Sequence, residues 1–289
     1  MTVITGAIAA LIAGCGAADP SRAAPPPSPV KPVSVSAAQM TRLLAATTFG
    51  TTSAAPPPPV QPVSVSAAQM RRLPAATTFG TTPAAPPDPA PFAAETGIVL
   101  HPAATRALYA RPGGPPVAAL PATELGSPTW VPVVRSQPGW ALVLLPDRPN
   151  RSTGWVYLGG GGLQTAYTPY QVRINPATFR LTIVDAGKSL GSWTIADGAT
   201  GTPTPTGRTF LLASLAPSRP TYSPLILPLG THSNTLDTYG GGPGTVALHG
   251  WPDPAVFGHA VSHGCVRVPP AALRALSRIP LGSAVIITR

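Results

Sequence analysis

Proline crowds the first ninety positions of this chain, which holds 41 prolines in 289 residues. Proline fixes φ and removes a backbone donor, so helices and central strands are hard to build there. The same stretch repeats with a period of 30. Pro32-Val33-Ser34-Val35-Ser36-Ala37-Ala38-Gln39-Met40 recurs as Pro62 to Met70, and Ala45-Ala46-Thr47-Thr48-Phe49-Gly50 recurs as Ala75 to Gly80. Two copies with little apolar mass do not make a solenoid. Pro25-Pro26-Pro27 and Pro56-Pro57-Pro58-Pro59 favour extended polyproline II. Residues 16–91 are therefore expected to be a disordered Pro/Ala-rich tether. Each copy holds one short helical candidate, Val33 to Leu44 and Val63 to Leu73. A spacer is the plain reading of the duplication, and a repeated partner-binding motif is the functional one.

Ahead of the tether, Val3 to Ile12 is an apolar run of ten residues. It is too short to span a bilayer and suits the core of a signal peptide. It ends in Ile12-Ala13-Gly14-Cys15, which resembles a bacterial lipobox. Residues 1–15 are read as a signal peptide, with Cys15 the lipidation candidate. Met1 to Gly6 lacks Lys and Arg, a departure from the usual charged start. The expected location is the cell envelope, either anchored by lipid to the membrane or secreted to the wall.

About two hundred residues remain, enough for a small domain and a medium one. The net charge is +10, and only Lys31 and Lys188 are lysines. No basic run interleaves with aromatics, so nucleic acid is a poor fit. An anionic wall polymer suits this charge, as does a merely solvated arginine-rich surface. The two cysteines, Cys15 and Cys265, do not form a disulfide framework.

From residue 92 to 160, short β-type runs alternate with Pro, Gly, Ser and Asn. They include Ile98-Val99-Leu100, Leu108-Tyr109, Trp130 to Val134, Trp140 to Leu145 and Gly154-Trp155-Val156. Such spacing indicates a small β-barrel or sandwich. The order of Leu-Tyr, a Trp-bearing strand, Gly-Trp-Ala-Leu-Val and Gly-Trp-Val-Tyr resembles a bacterial SH3-like module. At least two of Trp130, Trp140 and Trp155 are expected in its core. Asp147 to Arg151 reads as a solvated loop, and Leu225 to Gly244 as a long irregular loop of the kind that covers substrates. Tyr239 is its candidate substrate contact. Tyr170 to Ile174, Phe179 to Val184, Leu190 to Ile195, Thr209 to Leu212, Val246 to Leu248 and Ala284 to Thr288 read as strands. Pro269-Pro270 opens a short helix.

The chemistry concentrates in Ser262-His263-Gly264-Cys265-Val266-Arg267, with His249 sixteen residues before the cysteine. A thiol beside imidazoles supplies a thiolate nucleophile. A zinc site and a buried structural cysteine are the other readings. No ligand spacing typical of zinc is present. His232 and His259 carry no motif.

His249, twelve intervening residues and Ser-His-Gly-Cys-Val-Arg resemble the signature of the L,D-transpeptidase (YkuD-type) catalytic domain. Gly201-Thr202-Pro203-Thr204-Pro205-Thr206-Gly207 is similar to a turn of that family. The resemblance covers residues 167–289. It implies a mainly β catalytic domain with a short helix, without cofactor or metal. It also implies Cys265 as nucleophile and His249 as base, oriented by the Gly250 carbonyl. Asp253 is the side-chain alternative. His263 would support the thiolate, and a base role for it stays open. The N–H groups of Gly264 and Cys265 are candidate oxyanion donors. Ser262 would hydrogen-bond within the loop or to substrate, and Arg267 would meet a substrate carboxylate or brace the loop. The implied substrates are peptidoglycan stem peptides, joined by 3→3 crosslinks, with carbapenem-type β-lactams as inhibitors. Water or a protein amine as acceptor, or a non-catalytic wall-binding lipoprotein, are the alternatives.

Overall fold

The computed structural model describes residues 33–34 and 58–289. The signal-peptide and lipobox readings, and most of the first repeat, lie outside these residues. The described chain is mainly β. Among the described residues no helix is long and apolar enough to cross a membrane.

The N-terminal half builds one eight-stranded sheet. Its order is Val33–Ser34, Leu163–Tyr167, Ile98–Pro102, Val131–Gln137, Trp140–Leu144, Thr153–Tyr157, Arg106–Tyr109, Pro116–Leu120. Its interior holds Ile98, Leu100, Leu108, Leu120, Val133, Val143 and Val156. Trp140 and Trp155 are buried together in a second cluster with Tyr109 and Leu142. Trp130 instead packs against the core of the C-terminal half. Three of these strands were not legible in the sequence, Val33–Ser34, Pro116–Leu120 and Leu163–Tyr167.

The tether expectation is corrected from residue 58 onward. This segment is docked on the sheet by main-chain carbonyls. Trp140 Nε1 donates to Val60 O at 2.8 Å, Tyr109 OH to Val63 O at 2.9 Å, and Thr153 N to Pro86 O at 2.8 Å. The helical candidate shrinks to one turn, Ala67–Met70, started by a capping box between Ser66 and Gln69. Val65 and Met70 cover the Trp140 cluster, and Ala76 is fully buried. Val33–Ser34 of the first copy pairs as a strand with Leu163–Tyr167.

The C-terminal half has two main sheets. The five-stranded one runs Lys188–Thr194, Arg180–Asp185, Tyr170–Asn175, Ala284–Ile287, Gly207–Phe210. The three-stranded one runs Ile226–His232, Thr245–Gly250, Val266–Val268. Between them lies a core of Val172, Ile174, Leu181, Ile183, Leu227, Leu248 and Val285, closed by the helix Pro270–Leu276. Phe210 and Leu212 leave this half to fill the N-terminal interior, so the two halves share packing. At their junction Arg208 holds Asp88 through two contacts of 2.6 Å. Glu95 sits 3.3 Å from Arg208. Burial raises the Glu95 carboxyl to about 7, against the lowering pull of Arg208.

Candidate active site

His249 sits on the central strand of the three-stranded sheet and is buried. Its Nδ1–H donates to the Gly250 carbonyl at 2.8 Å. This fixes the tautomer and leaves Nε2 as the acceptor. Asp253 plays no part in it, because its carboxylate caps Ala255 N at 2.9 Å. Gly250 is anchored in turn, its N–H donating to Ser223 Oγ at 2.7 Å. Burial holds the His249 imidazole down at about 4, with the Gly250 bond opposing and the Arg267 charge adding to the shift. The ring is therefore neutral at ordinary pH.

The neighbouring strand brings the nucleophile candidate. Leu248, His249 and Gly250 lie opposite Val266, Arg267 and Val268 in parallel register. His249 and Arg267 thus share one face. Cys265 directly precedes this strand, two positions before Arg267, and is half-buried. Gly264 has φ of +109°, a conformation open to glycine and costly for other residues. That turn interrupts the extended run between His263 and Cys265. His263 is exposed, with the Tyr239 hydroxyl 3.3 Å from its Nδ1 and the two rings 4.9 Å apart.

Ser262 braces this turn from inside. Its hydroxyl donates to Cys265 O at 2.5 Å and accepts from Gly264 N at 3.1 Å. Ser262 is buried, and both of these hydroxyl contacts lie within the loop. The Gly264 N–H, a candidate oxyanion donor, points at this hydroxyl. The Thr-Pro-Thr turn holds the loop from the other side. Thr202 Oγ1 donates to Ser262 O at 2.8 Å and Thr204 Oγ1 to Gly264 O at 2.9 Å. Gly198 N donates to Thr204 Oγ1 at 3.0 Å. A Cβ on Gly198 would stand 2.2 Å from Thr202 O, so only glycine lets the turn approach.

Aromatic rings wall the base. Tyr222 meets His249 edge-on at 4.8 Å between centroids, and Trp251 lies 5.4 Å from Tyr222. The Arg267 guanidinium lies 3.6 Å over the Trp251 ring, a cation–π contact. Among the described residues no carboxylate pairs with Arg267, and its Nε has no hydrogen-bond partner. Neither Tyr222 nor Ser223 was legible beforehand. Trp251 had one signal, its place two positions after His249.

The expected covering loop is shorter than read. Ile226–His232 is a fully buried strand, so the irregular part spans residues 233–244. The N-terminal half grips it, through a segment expected to be solvated. Arg148 donates to Ser233 O and Leu236 O at 3.2 Å and to Pro243 O at 3.0 Å. Asn150 donates to His232 O at 2.6 Å and to Asn234 Oδ1 at 2.9 Å. His232, which carries no motif, is buried. Its Nε2–H donates to Thr78 O at 2.7 Å, and burial lowers its imidazole to about 4. Asp147 is buried beside this contact and Glu124 accepts from Thr78 N. Burial raises Glu124 to about 8 and Asp147 to about 6. His259 is exposed, its carbonyl taken by Asp197 N at 3.3 Å. Among the described residues no three His, Cys, Asp or Glu side chains cluster as a metal site would require.

Residues 169–287 match the family described as the YkuD L,D-transpeptidase catalytic domain. Several solved structures are similar to the chain at low identity. One is an L,D-transpeptidase from Mycobacterium smegmatis, at 16% identity over 54% of this chain and 80% of that one, with a TM-score of 0.36. Another is L,D-transpeptidase 3 from Mycobacterium tuberculosis in complex with a faropenem-derived adduct, at 14% identity over 48% and 74%, TM-score 0.36. A third is an L,D-transpeptidase from Xylanimonas cellulosilytica, at 22% identity over 42% and 60%, TM-score 0.31. No curated protein matches the chain.

Proposed function

We propose that the C-terminal half is a cysteine-dependent L,D-transpeptidase acting on peptidoglycan stem peptides. The observation that carries this reading is the state of His249. It is neutral, buried and locked with Nε2 as acceptor, on the strand that pairs with the one Cys265 leads into. Such a ring takes the thiol proton and leaves a thiolate.

The steps balance as follows. The Cys265 proton passes to His249 Nε2, and the thiolate attacks the carbonyl carbon of the third residue of a tetrapeptide stem. The Cys265 N–H steadies the oxyanion. The intermediate collapses, the C–N bond breaks, and D-alanine leaves with the proton from His249. A thioester remains on Cys265. The side-chain amine of a second stem attacks it, giving its proton to His249, and the thiol is restored as a 3→3 crosslink forms. Arg267, a cation over Trp251 with no carboxylate partner among the described residues, suits a stem carboxylate. Tyr239 and His263 form the exposed rim. Water in place of the second amine makes the same site an L,D-carboxypeptidase. The substrate places the enzyme outside the cytoplasmic membrane, where lipid on Cys15 would hold it.

A carbapenem offers a strained carbonyl to the same thiolate. Intact mass spectrometry of the wild type should show one adduct, absent in Cys265→Ala. An adduct that persists in Cys265→Ala, or none in either, overturns the reading. A disaccharide tetrapeptide then separates crosslinked dimer from released tripeptide. His249→Ala should abolish the pH-dependent acylation limb, whereas His263→Ala should keep it.

A further inference from the structure

The groove that holds the second repeat copy is built to fit the first copy as well. Every docking contact of residues 59–87 can be set against the sequence thirty positions earlier. Carbonyls of Val60, Val63 and Pro86 accept from Trp140, Tyr109 and Thr153, and the first copy has Val30, Val33 and Pro56. Val65 and Met70 cover the Trp140 cluster, and the first copy has Val35 and Met40. The Ser66–Gln69 capping box has Ser36 and Gln39. Buried Ala76, Thr78 and Thr82 have Ala46, Thr48 and Thr52. Gly80, whose carbonyl accepts from Arg148 N at 3.1 Å, has Gly50.

The match ends abruptly. Asp88 binds Arg208 with its side chain and donates its N–H to Arg151 O at 2.8 Å. Its counterpart is Pro58, which has neither a carboxylate nor an N–H. Within the groove one side-chain contact differs, because Gln61, which accepts from Tyr157 OH at 3.0 Å, corresponds to Lys31. The described piece of the first copy lies elsewhere. Val33–Ser34 forms a two-residue pairing at the far sheet edge, with Val33 exposed. That is little to give up.

We propose that residues 29–57 are a second ligand for this groove, and that the two copies of one chain exchange in it. The occupant is the chain's own first copy. A tether gives it an effective concentration in the millimolar range, far above any second molecule in dilute solution. The second copy dominates, because docking the first loops out thirty residues while Asp88 stays on Arg208. Loop closure of that length holds the first copy to on the order of one in a hundred. When the exchange occurs, the point where the chain leaves the groove moves by one repeat. In extended polyproline II that changes the reach toward the N-terminus by roughly 90 Å.

Two variants of the full chain test this. Deleting residues 58–87 joins Pro57 to Asp88 and makes the first copy the adjoining segment. Its melting temperature should stay within a few degrees of wild type, whereas deleting residues 28–87 should lower it well beyond that. If the two deletions are equally destabilised, the groove does not accept the first copy and the proposal falls. For the exchange itself, a benzophenone amino acid at Tyr157 traps whatever occupies the groove, and the differences Thr41 against Arg71 and Leu44 against Pro74 identify the trapped peptide by mass. With Val65→Asp and Met70→Asp in the second copy, trapping of the first copy should rise from a trace to the majority. The experiment is run on mixed light- and heavy-isotope chains. Adducts of first-copy peptide within one isotope label support the proposal. Adducts across labels, or with the second copy alone, overturn it.

Discussion

Thr204→Val removes one hydroxyl and keeps the shape of the side chain. That hydroxyl accepts from Gly198 N at 3.0 Å and donates to Gly264 O at 2.9 Å. Thr204, Gly198 and Gly264 are all buried, so water does not replace it. Two backbone groups are then left unpaired, each at about 1–3 kcal/mol, for a loss of roughly 2–6 kcal/mol. At about 2–4 °C per kcal/mol for a domain of 150–250 residues, the melting temperature falls by several to about 20 °C. The second effect is local. Gly264 O is one of the points that fix the turn before Cys265, and a displacement of about 1 Å costs up to a hundredfold in rate. Acylation of Cys265 by a carbapenem, followed by intact mass against time, should slow ten- to hundredfold. Thr204→Ser keeps both bonds and should restore the acylation rate and most of the melting temperature. A Thr204→Val protein with wild-type stability and acylation would refute the reasoning. So would a serine variant as impaired as the valine one.

Gly264→Ala puts a side chain at φ of +109°, at a cost of about 1–3 kcal/mol, and should cut acylation more than stability, read by the same two assays. Arg148→Ala frees three carbonyls of the covering loop. It should raise KM for stem peptide about tenfold, with kcat for the small β-lactam nearly unchanged and faster hydrogen exchange over residues 233–244. Stability should also fall on both sides of mild acidity. His249 and His232 are held down at about 4, so the unfolded chain binds protons first as pH drops from 6.5. Glu124 is held up at about 8, so its contribution is lost as pH rises from 4.5 through 8. Glu124→Gln should flatten that alkaline limb by on the order of a few kcal/mol in a pH series of melts, and an unchanged limb would remove Glu124 from the account.

What could be read from the residues alone was whatever carries a side-chain pattern. Leu181 and Ile183 alternate, and they sit in the core. Pro270 starts the helix, as its fixed φ suits a first turn. His249 and Cys265 declared themselves through residue type and spacing. What stayed hidden is held by main chain or lacks a period. Ile226–His232 is buried at all seven positions, with Pro228 and Gly230 inside it, so no alternation marks it as a strand. Residues 58–91 look like a spacer by composition, yet the carbonyls of Val60, Val63 and Pro86 dock them, and a carbonyl has no sequence signature. Arg148 and Asn150 flank Pro149 in a polar run that resembles solvent-exposed loop. Their partners are loop carbonyls more than eighty residues away.

The choice of a carbonyl rather than a carboxylate to orient His249 has a consequence for the chemistry. A carboxylate at Nδ1 would favour the imidazolium and raise the ring. In a dry pocket it would also be a second buried charge beside Arg267. The Gly250 carbonyl fixes the same tautomer without charge, and burial then lowers the ring to about 4. On the proposed mechanism, a base held so low draws the thiol proton only as the substrate is attacked. In that mechanism the transfer is driven as the negative charge moves from sulfur to a substrate oxygen facing the Cys265 N–H. On the proposed mechanism, the nucleophile appears when there is an acyl group to attack. Replacing Ser223 with Ala tests this logic, because Ser223 Oγ binds Gly250 N at 2.7 Å and holds the peptide whose carbonyl sets the tautomer. Acylation of Ser223→Ala should slow about tenfold at neutral pH, while iodoacetamide, which needs only resting thiolate, should react with Cys265 at the wild-type rate. Equal slowing of both reagents would mean that His249 sets the resting thiolate after all.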